Sequence, residues 1–414
     1  MAQYYVSNFV QLQQAVINNA AKIIVSCNIL CLNSLQLPLN CQLSGQPYAN
    51  GEMPALFFNR TDGLGLSVNN KISDLHILCD VDKRAIYSAS SAEDLGYCDF
   101  ENLEITGQFS FITRTPTLHS EITMRNVHIK ACDARPYLEQ PQKYGVNVLQ
   151  GALTIYNFNQ DESSEIKVHI EGLKIGSRNA PVIGSGIFIA GFGDQGGTTQ
   201  VSKLHTYAVY STGNIPVGVS DFITGAVFIL NGTHAKEIIH DGEIITYGVN
   251  DMVLDAWGKV DSWISNRPII SYGPSGIGFV NFGQVGQFIV NDILETYGLG
   301  ARGYNQYDGT VDDIRFKSIT TYGDGSIGIQ ISKPIGTLHV QESVTTYGGT
   351  GNSLVKGHNV VLDAIALSVK EGGKAHEITI DGQLITHSKG IEPLSIETKA
   401  EVNQLSVNGK SIRQ

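Results

Sequence analysis

Two aspartates four positions apart, Asp251 and Asp255, and a third at Asp308 are the ionisable residues most suggestive of chemistry in this chain. Residues an even number apart on an extended strand point to the same side, so Asp251 and Asp255 are expected together. Two neighbouring carboxyl groups can separate into a protonated acid and an ionised base or nucleophile. Asp308 directly follows Tyr307 and is expected to join them from a nearby stretch of chain. The same three carboxylates could bind calcium, but no set of six oxygen ligands is visible, and no cofactor or metal is expected. No zinc-type His/Cys spacing, phosphate-cradling loop before a helix, or Ser-His-Asp ordering stands out.

The elements that must position these residues come from an internal repeat. Ile-Thr-Tyr-Gly at 245–248 returns as Ile-Ser-Tyr-Gly at 270–273, Glu-Thr-Tyr-Gly at 295–298, and Thr-Thr-Tyr-Gly at 320–323 and 345–348. Tyr247, Tyr272, Tyr297, Tyr322 and Tyr347 are therefore each 25 residues apart. Weaker copies, His-Thr-Tyr-Ala at 205–208 and Ile-Thr-His-Ser at 385–388, each lie 40 residues from a neighbour. Either a 15-residue insertion or two shorter coils would fit those gaps. A period in the twenties marks a solenoid. The leucine-rich pattern is missing and no helical segment fits inside the unit.

Alternation fits instead. Each unit has an apolar residue three before the tyrosine (Ile244, Ile269, Leu294, Ile319, Val344) and Ser or Thr one before it. Seven after the tyrosine comes a second apolar or aromatic column: Leu254, Phe279, Tyr304, Ile329, Leu354. Strand periodicity sends these odd offsets to one face, read as the interior. The glycine after each tyrosine is read as a turn residue with positive φ.

The even offsets are then expected to face outward. Six after the tyrosines lie Val253, Gly278, Gly303, Gly328 and Ser353, a floor of small residues. Beside it run a row with Asp255, Asn305 and Gln330 and a row with Trp257, Phe282 and Tyr307. Such a floor suits a sugar chain, whose C–H faces stack on aromatic rings while its hydroxyls pair with amides and carboxylates. A ladder that merely stabilises the stack would use the same letters. In the first reading Asn305 and Gln330 hold hydroxyls, and Trp257 and Tyr307 are stacking platforms. Arg302, Asn281, Gln306, Asn352 and Lys356 are polar in columns otherwise apolar, and are expected at the rim of the groove. His358 lies close to Lys356 as a further candidate base, and Tyr304 completes the set of candidate substrate contacts.

Composition narrows the options. The chain has 414 residues and a net charge of −11, which argues against wrapping nucleic acid or resting on an anionic membrane. Only 16% of residues are charged, 42% are hydrophobic, and 45 are glycine, a balance suited to β structure with many tight turns. All 6 cysteines (Cys27, Cys31, Cys41, Cys79, Cys98, Cys132) fall in the first third, unlike a disulfide scaffold, and are read as buried thiols. Met-Ala-Gln-Tyr-Tyr-Val has no basic region before an apolar core, and no apolar run could span a bilayer, so a cytoplasmic location is expected. Exposed coil faces could pack together, making a dimer or trimer a further expectation.

Near the N-terminus, Asn8 could cap a helix with Val10, Leu12, Ala15 and Val16 on its apolar face, before a strand at Lys22-Ile23-Ile24-Val25-Ser26. With Phe9-Val10-Gln11-Leu12-Gln13-Gln14-Ala15 preceding the coils, the chain resembles the pectate-lyase-like right-handed β-helix superfamily. The resemblance implies an all-β, right-handed parallel β-helix, a solenoid of about 25 residues per coil with a short N-terminal capping helix. One domain over 1–414 is expected: a cap at 1–22, coils over 23–395 with loops near 131–160 and 191–222, and a C-terminal end at 396–414. It also implies a carbohydrate-active enzyme, a glycosidase, lyase or transferase acting on an oligosaccharide or glycoside. The polygalacturonase signature is absent, since Asp312-Asp313, Arg315-Phe316-Lys317 and Gly357-His358-Asn359 come in the wrong order. A rival is a non-enzymatic binding or adhesive module. Thr321-Tyr322-Gly323-Asp324-Gly325-Ser326-Ile327-Gly328-Ile329 resembles the coils of autotransporter passenger domains.

Overall fold

The computed structural model describes residues 3–355 and 358–412. The chain divides into two compact units: one of Met1–Leu138, Gln150–Tyr207 and Asn231–His234, the other of Glu139–Leu149, Ala208–Leu230 and Ala235–Gln414. Both are built almost wholly of short strands paired in parallel with the equivalent strand one winding away, the arrangement of a solenoid.

In the first unit, Gln3–Val6 pairs with Lys22–Val25, and Lys22–Val25 with Gln42–Gly45. The ladder continues through Lys71–Leu78, Asp94–Thr106, His119–Ala131 and Glu165–Ile175. Register stacks Ile23, Leu43, Ile72, Phe100, Met124 and Ile170 inward, all fully buried. The helix Phe9–Ile17 begins where the Asn8 side chain accepts a hydrogen bond from the Gln11 amide at 3.0 Å. It buries Leu12 and Ala15, but Val10, expected on the apolar face, is exposed. The helix also follows a strand that already belongs to the ladder. The six thiols are free, and five of them are buried.

In the second unit the 25-residue period is the winding itself. Ile244, Ile269, Leu294, Ile319 and Val344 lie in one register column and are fully buried. The Ser/Thr column Thr246, Ser271, Thr296, Thr321 and Thr346 is buried beside it. The tyrosines stack in single file on the outside, with ring centroids 5.5, 5.0, 4.5 and 5.1 Å apart from Tyr247 to Tyr347. His387 closes the file, 4.3 Å from Tyr347. Since Thr345 pairs with Ile385, the 40-residue gap there is one winding carrying an insertion. Most of that insertion is the antiparallel hairpin Gly351–Val355 and His358–Leu362.

The other 40-residue gap is different. Tyr210 pairs with Ile245 and Ser211 with Thr246, so Thr212 rather than Tyr207 stands in the tyrosine column. The loops are also narrower than expected. Gly151–Asn157 and Thr198–Thr212 are strands within the ranges read as loops, leaving 213–221 and the hairpin Gln142–Lys143/Val146–Val148 as the excursions of this unit.

The repeat glycines serve close approach rather than positive φ. A Cβ on Gly273, Gly298, Gly323 or Gly348 would run into the carbonyl oxygen of the equivalent glycine one winding back. None of them occupies the left-handed region, which falls three residues after the tyrosine: Asn250 (φ 57°), Ser275 (57°), Gly300 (64°) and Gly325 (67°). No helix among the described residues is long and apolar enough to cross a membrane.

Candidate functional site

The strands Asp251–Ala256, Ile277–Asn281, Arg302–Gln306 and Ile327–Ile331 pair in order, and the first three contribute to the floor of a cavity of about 450 Å³ within the second unit. The strands turn a corner near their middle. Leu254, Phe279, Tyr304 and Ile329 point inward, yet so do Val253, Gly278, Gly303 and Gly328. A Cβ on Gly278 would lie 2.6 Å from the interior Leu294 side chain, and one on Gly328 2.6 Å from Val344. The small column is therefore interior, emptied to make room for core side chains, and is not the outward floor the alternation implied. Met252, Ile277 and Arg302 line the cavity on one side of the corner, and Asp255, Val280, Trp257, Phe282 and Tyr307 on the other.

This corner separates the two aspartates. Asp251 is fully buried, and its carboxylate accepts hydrogen bonds from the Gly248 amide at 2.6 Å, the Gly213 amide at 3.2 Å and the Thr224 hydroxyl. Burial raises its pKa to about 6, with those donors pulling the other way. It ties together three segments and does not line the cavity, so the expected Asp251–Asp255 pair is not assembled.

Asp255 is the opposite case. It is fully buried between Phe228 and Val280 in its register column, and it lines the cavity. Neither carboxyl oxygen makes a hydrogen bond within ordinary limits to the described residues, nor does the neighbouring Trp257 indole N–H. Burial drives the Asp255 pKa well above the usual carboxylate range, against a smaller pull from Trp257, and so favours the neutral form of the group. A buried polar group without a partner is costly. Here the cavity offers the place where one could be supplied.

An aromatic wall stands beside it. Phe282 and Tyr307 stack at 5.0 Å, and Trp257 meets Phe282 edge-on at 6.0 Å. Tyr144, on the 139–149 excursion, stacks on Phe282 at 4.3 Å and meets Trp257 edge-on at 5.2 Å. That excursion is fixed by parallel pairing of Asn147 and Val148 with Phe222 and Ile223. Tyr144 escaped the sequence reading because it belongs to no repeat.

Arg302 is buried and donates long hydrogen bonds to Gly300 O at 3.4 Å and Gln330 Oε1 at 3.5 Å, and burial lowers its pKa to about 10. Asp308, partly exposed, and Lys333 line the opening. Asn305 is buried in the Asp255 column, its amide N–H unpaired while its oxygen accepts from Gln330 at 3.4 Å.

Three other expected residues lie elsewhere. Asn281 is interior, its amide shared among Gly283 O, Gln306 Oε1 and Thr310 O. Tyr304 packs on Phe279 in the core and donates to Gln306 at 2.6 Å. Interior positions thus accept polar groups where a closed ladder satisfies them. His358 is exposed on the inserted hairpin, and Lys356 lies outside the described residues. The repeat columns had been extended onto this hairpin, whereas the residue pairing with Ile329 on the next winding is Leu367, not Leu354. Among the described residues no three His, Cys, Asp or Glu side chains converge as a metal site requires.

No family model, curated protein or solved structure matches this chain.

Proposed function

We propose that the chain is a right-handed parallel β-helix, the hand that parallel crossovers take, and that its cavity cleaves glycosidic bonds. The observation that carries this reading is Asp255: a buried carboxyl group, without a hydrogen-bond partner among the described residues, facing a cavity beside a wall of four aromatic rings. In the working mechanism a sugar ring stacks on Trp257, Phe282 and Tyr307. Asp255 gives its proton to the glycosidic oxygen as the bond to the anomeric carbon breaks. Water adds to that carbon and yields its proton to Asp308.

Asp308 lies three residues past Asn305, which stands two windings from Asp255 in the register. The two carboxyl groups are therefore not the close pair, roughly 5–5.5 Å apart, of a nucleophile–acid mechanism, and attack by water with inversion at the anomeric carbon is the outcome to test. Asn305 and Gln330, expected to hold hydroxyls, follow in the same column but are not among the residues that line the cavity. The second reading, saccharide binding without turnover, rests on the aromatic wall alone and needs neither carboxyl group.

Asp255→Asn separates the two. It should abolish release of reducing ends from an oligosaccharide and glycoside panel while saccharide binding persists. Normal turnover by the variant would remove Asp255 from the mechanism. Binding by the wild type with no turnover of any panel member would establish the second reading.

A further inference from the structure

A second cavity of about 240 Å³ adjoins the first, sharing Ser220, Asn250, Ser275 and Leu354 with it. Three features build it. The loop 213–221 is held where Asn250 Nδ2 donates to Val219 O at 2.9 Å. The inserted hairpin is docked on an earlier turn, where buried Ser353 donates through Oγ to Gly300 O at 3.0 Å. Close packing there leaves no space for a Cβ at Gly300, which would lie 2.6 Å from Ser353 Cα.

The chemistry of the two cavities differs. The first holds Asp255, Arg302, Asp308 and Lys333, whereas among the described residues no ionisable side chain lines the second. Pro274, Leu299 and Leu354 give it apolar surface, and Asn250, Asn352 and Asn359 give it amides. Apolar patches and neutral amides side by side match an uncharged ring with C–H faces and hydroxyls, and would leave a charged group unpaired.

We propose that the second cavity is a subsite for a neutral sugar unit adjoining the one that reacts, so that the ligand is a neutral-ended oligosaccharide and not a single glycosyl unit. This rests on the saccharide reading of the first cavity. The inserted hairpin, absent from the neighbouring 25-residue windings, is what creates the subsite.

Leu299 is half-exposed and lines only the second cavity, so Leu299→Trp fills it without disturbing the core. Titration calorimetry of wild type and variant with glucose-, xylose- and fructose-based neutral trisaccharides, and with the corresponding monosaccharides, tests the assignment. The variant should bind the best trisaccharide at least tenfold more weakly and the monosaccharide unchanged. Equal trisaccharide affinity in variant and wild type would overturn the subsite whatever the activity. Weakened trisaccharide binding together with a wild type that hydrolyses nothing would keep the subsite and overturn the catalytic reading. A wild type that binds no saccharide in the panel would overturn both.

Discussion

The same windings of the second unit present two contrasting edges. Along the tyrosine edge every position repeats: ring stacks on ring, glycine carbonyl meets glycine, and Ser or Thr lies beneath. Along the cavity edge the register is equally strict, yet one column reads Asp255, Val280, Asn305, Gln330. Along the tyrosine edge rings and glycines meet across windings, although Thr296 Oγ1 in the buried Ser/Thr column has no hydrogen-bond partner among the described residues. Along the cavity edge Asp255 and the Asn305 amide N–H have none among the described residues either. What sets Asp255 apart is that its unsatisfied oxygens belong to a side chain lining a cavity. Asp251, four residues earlier, does not line it and is held by Gly213, Gly248 and Thr224.

Substitutions can break or sharpen the contrast. The largest effect is expected from Asp255→Asn, a loss of roughly 10²–10⁴ in kcat read by steady-state assay, with a melting temperature unchanged or raised. Asp251→Ala should do the reverse. It strands the Gly213 and Gly248 amides and the Thr224 hydroxyl, costing roughly 3 kcal/mol in a denaturant titration. Gly298→Ala forces a methyl group against Gly273 and should cost roughly 2 kcal/mol by the same measurement.

Wild-type stability should also depend on pH in a set direction. A carboxyl whose pKa is raised on folding binds more protons in the folded state, so stability falls as pH climbs from the ordinary carboxylate value through the folded one. For Asp251 that decline runs from about pH 4 through about 6. Asp255 extends it to higher pH, and Asp255→Asn should flatten that upper part. The smallest expected change is Tyr322→Ala, which removes two stacking contacts at a half-exposed position and should cost about 1 kcal/mol.

Much of the stack was legible because five tyrosines in strict period leave little choice about which residues become neighbours. The inward columns at Ile244 and Leu254 and the outward placement of Trp257 and Tyr307 followed from alternation. The mistakes share one physical origin, since alternation assumes a straight strand. The corner beside Gly278 and Gly303 sends two successive positions inward, which hides the small column and parts Asp251 from Asp255. Asn281 is expected at the rim because a polar side chain in a core looks misplaced until its hydrogen bond to Gln306 is seen, and Tyr304, read as interior, donates to the same Gln306. Past Tyr347 the chain detours into the hairpin, so Asn352 and Leu354 leave the columns that the period assigns them, and His358 goes with them. Tyr144 carried no periodic signal at all.

The detour between Tyr347 and His387 has a wider meaning. Pairing of Thr345 with Ile385 resumes as though nothing intervened, and the ring file passes from tyrosine to histidine without a gap. Such a seam lets a segment be lengthened, shortened or exchanged without rethreading its neighbours. The scaffold underneath can then stay as it is while the inserted segment changes.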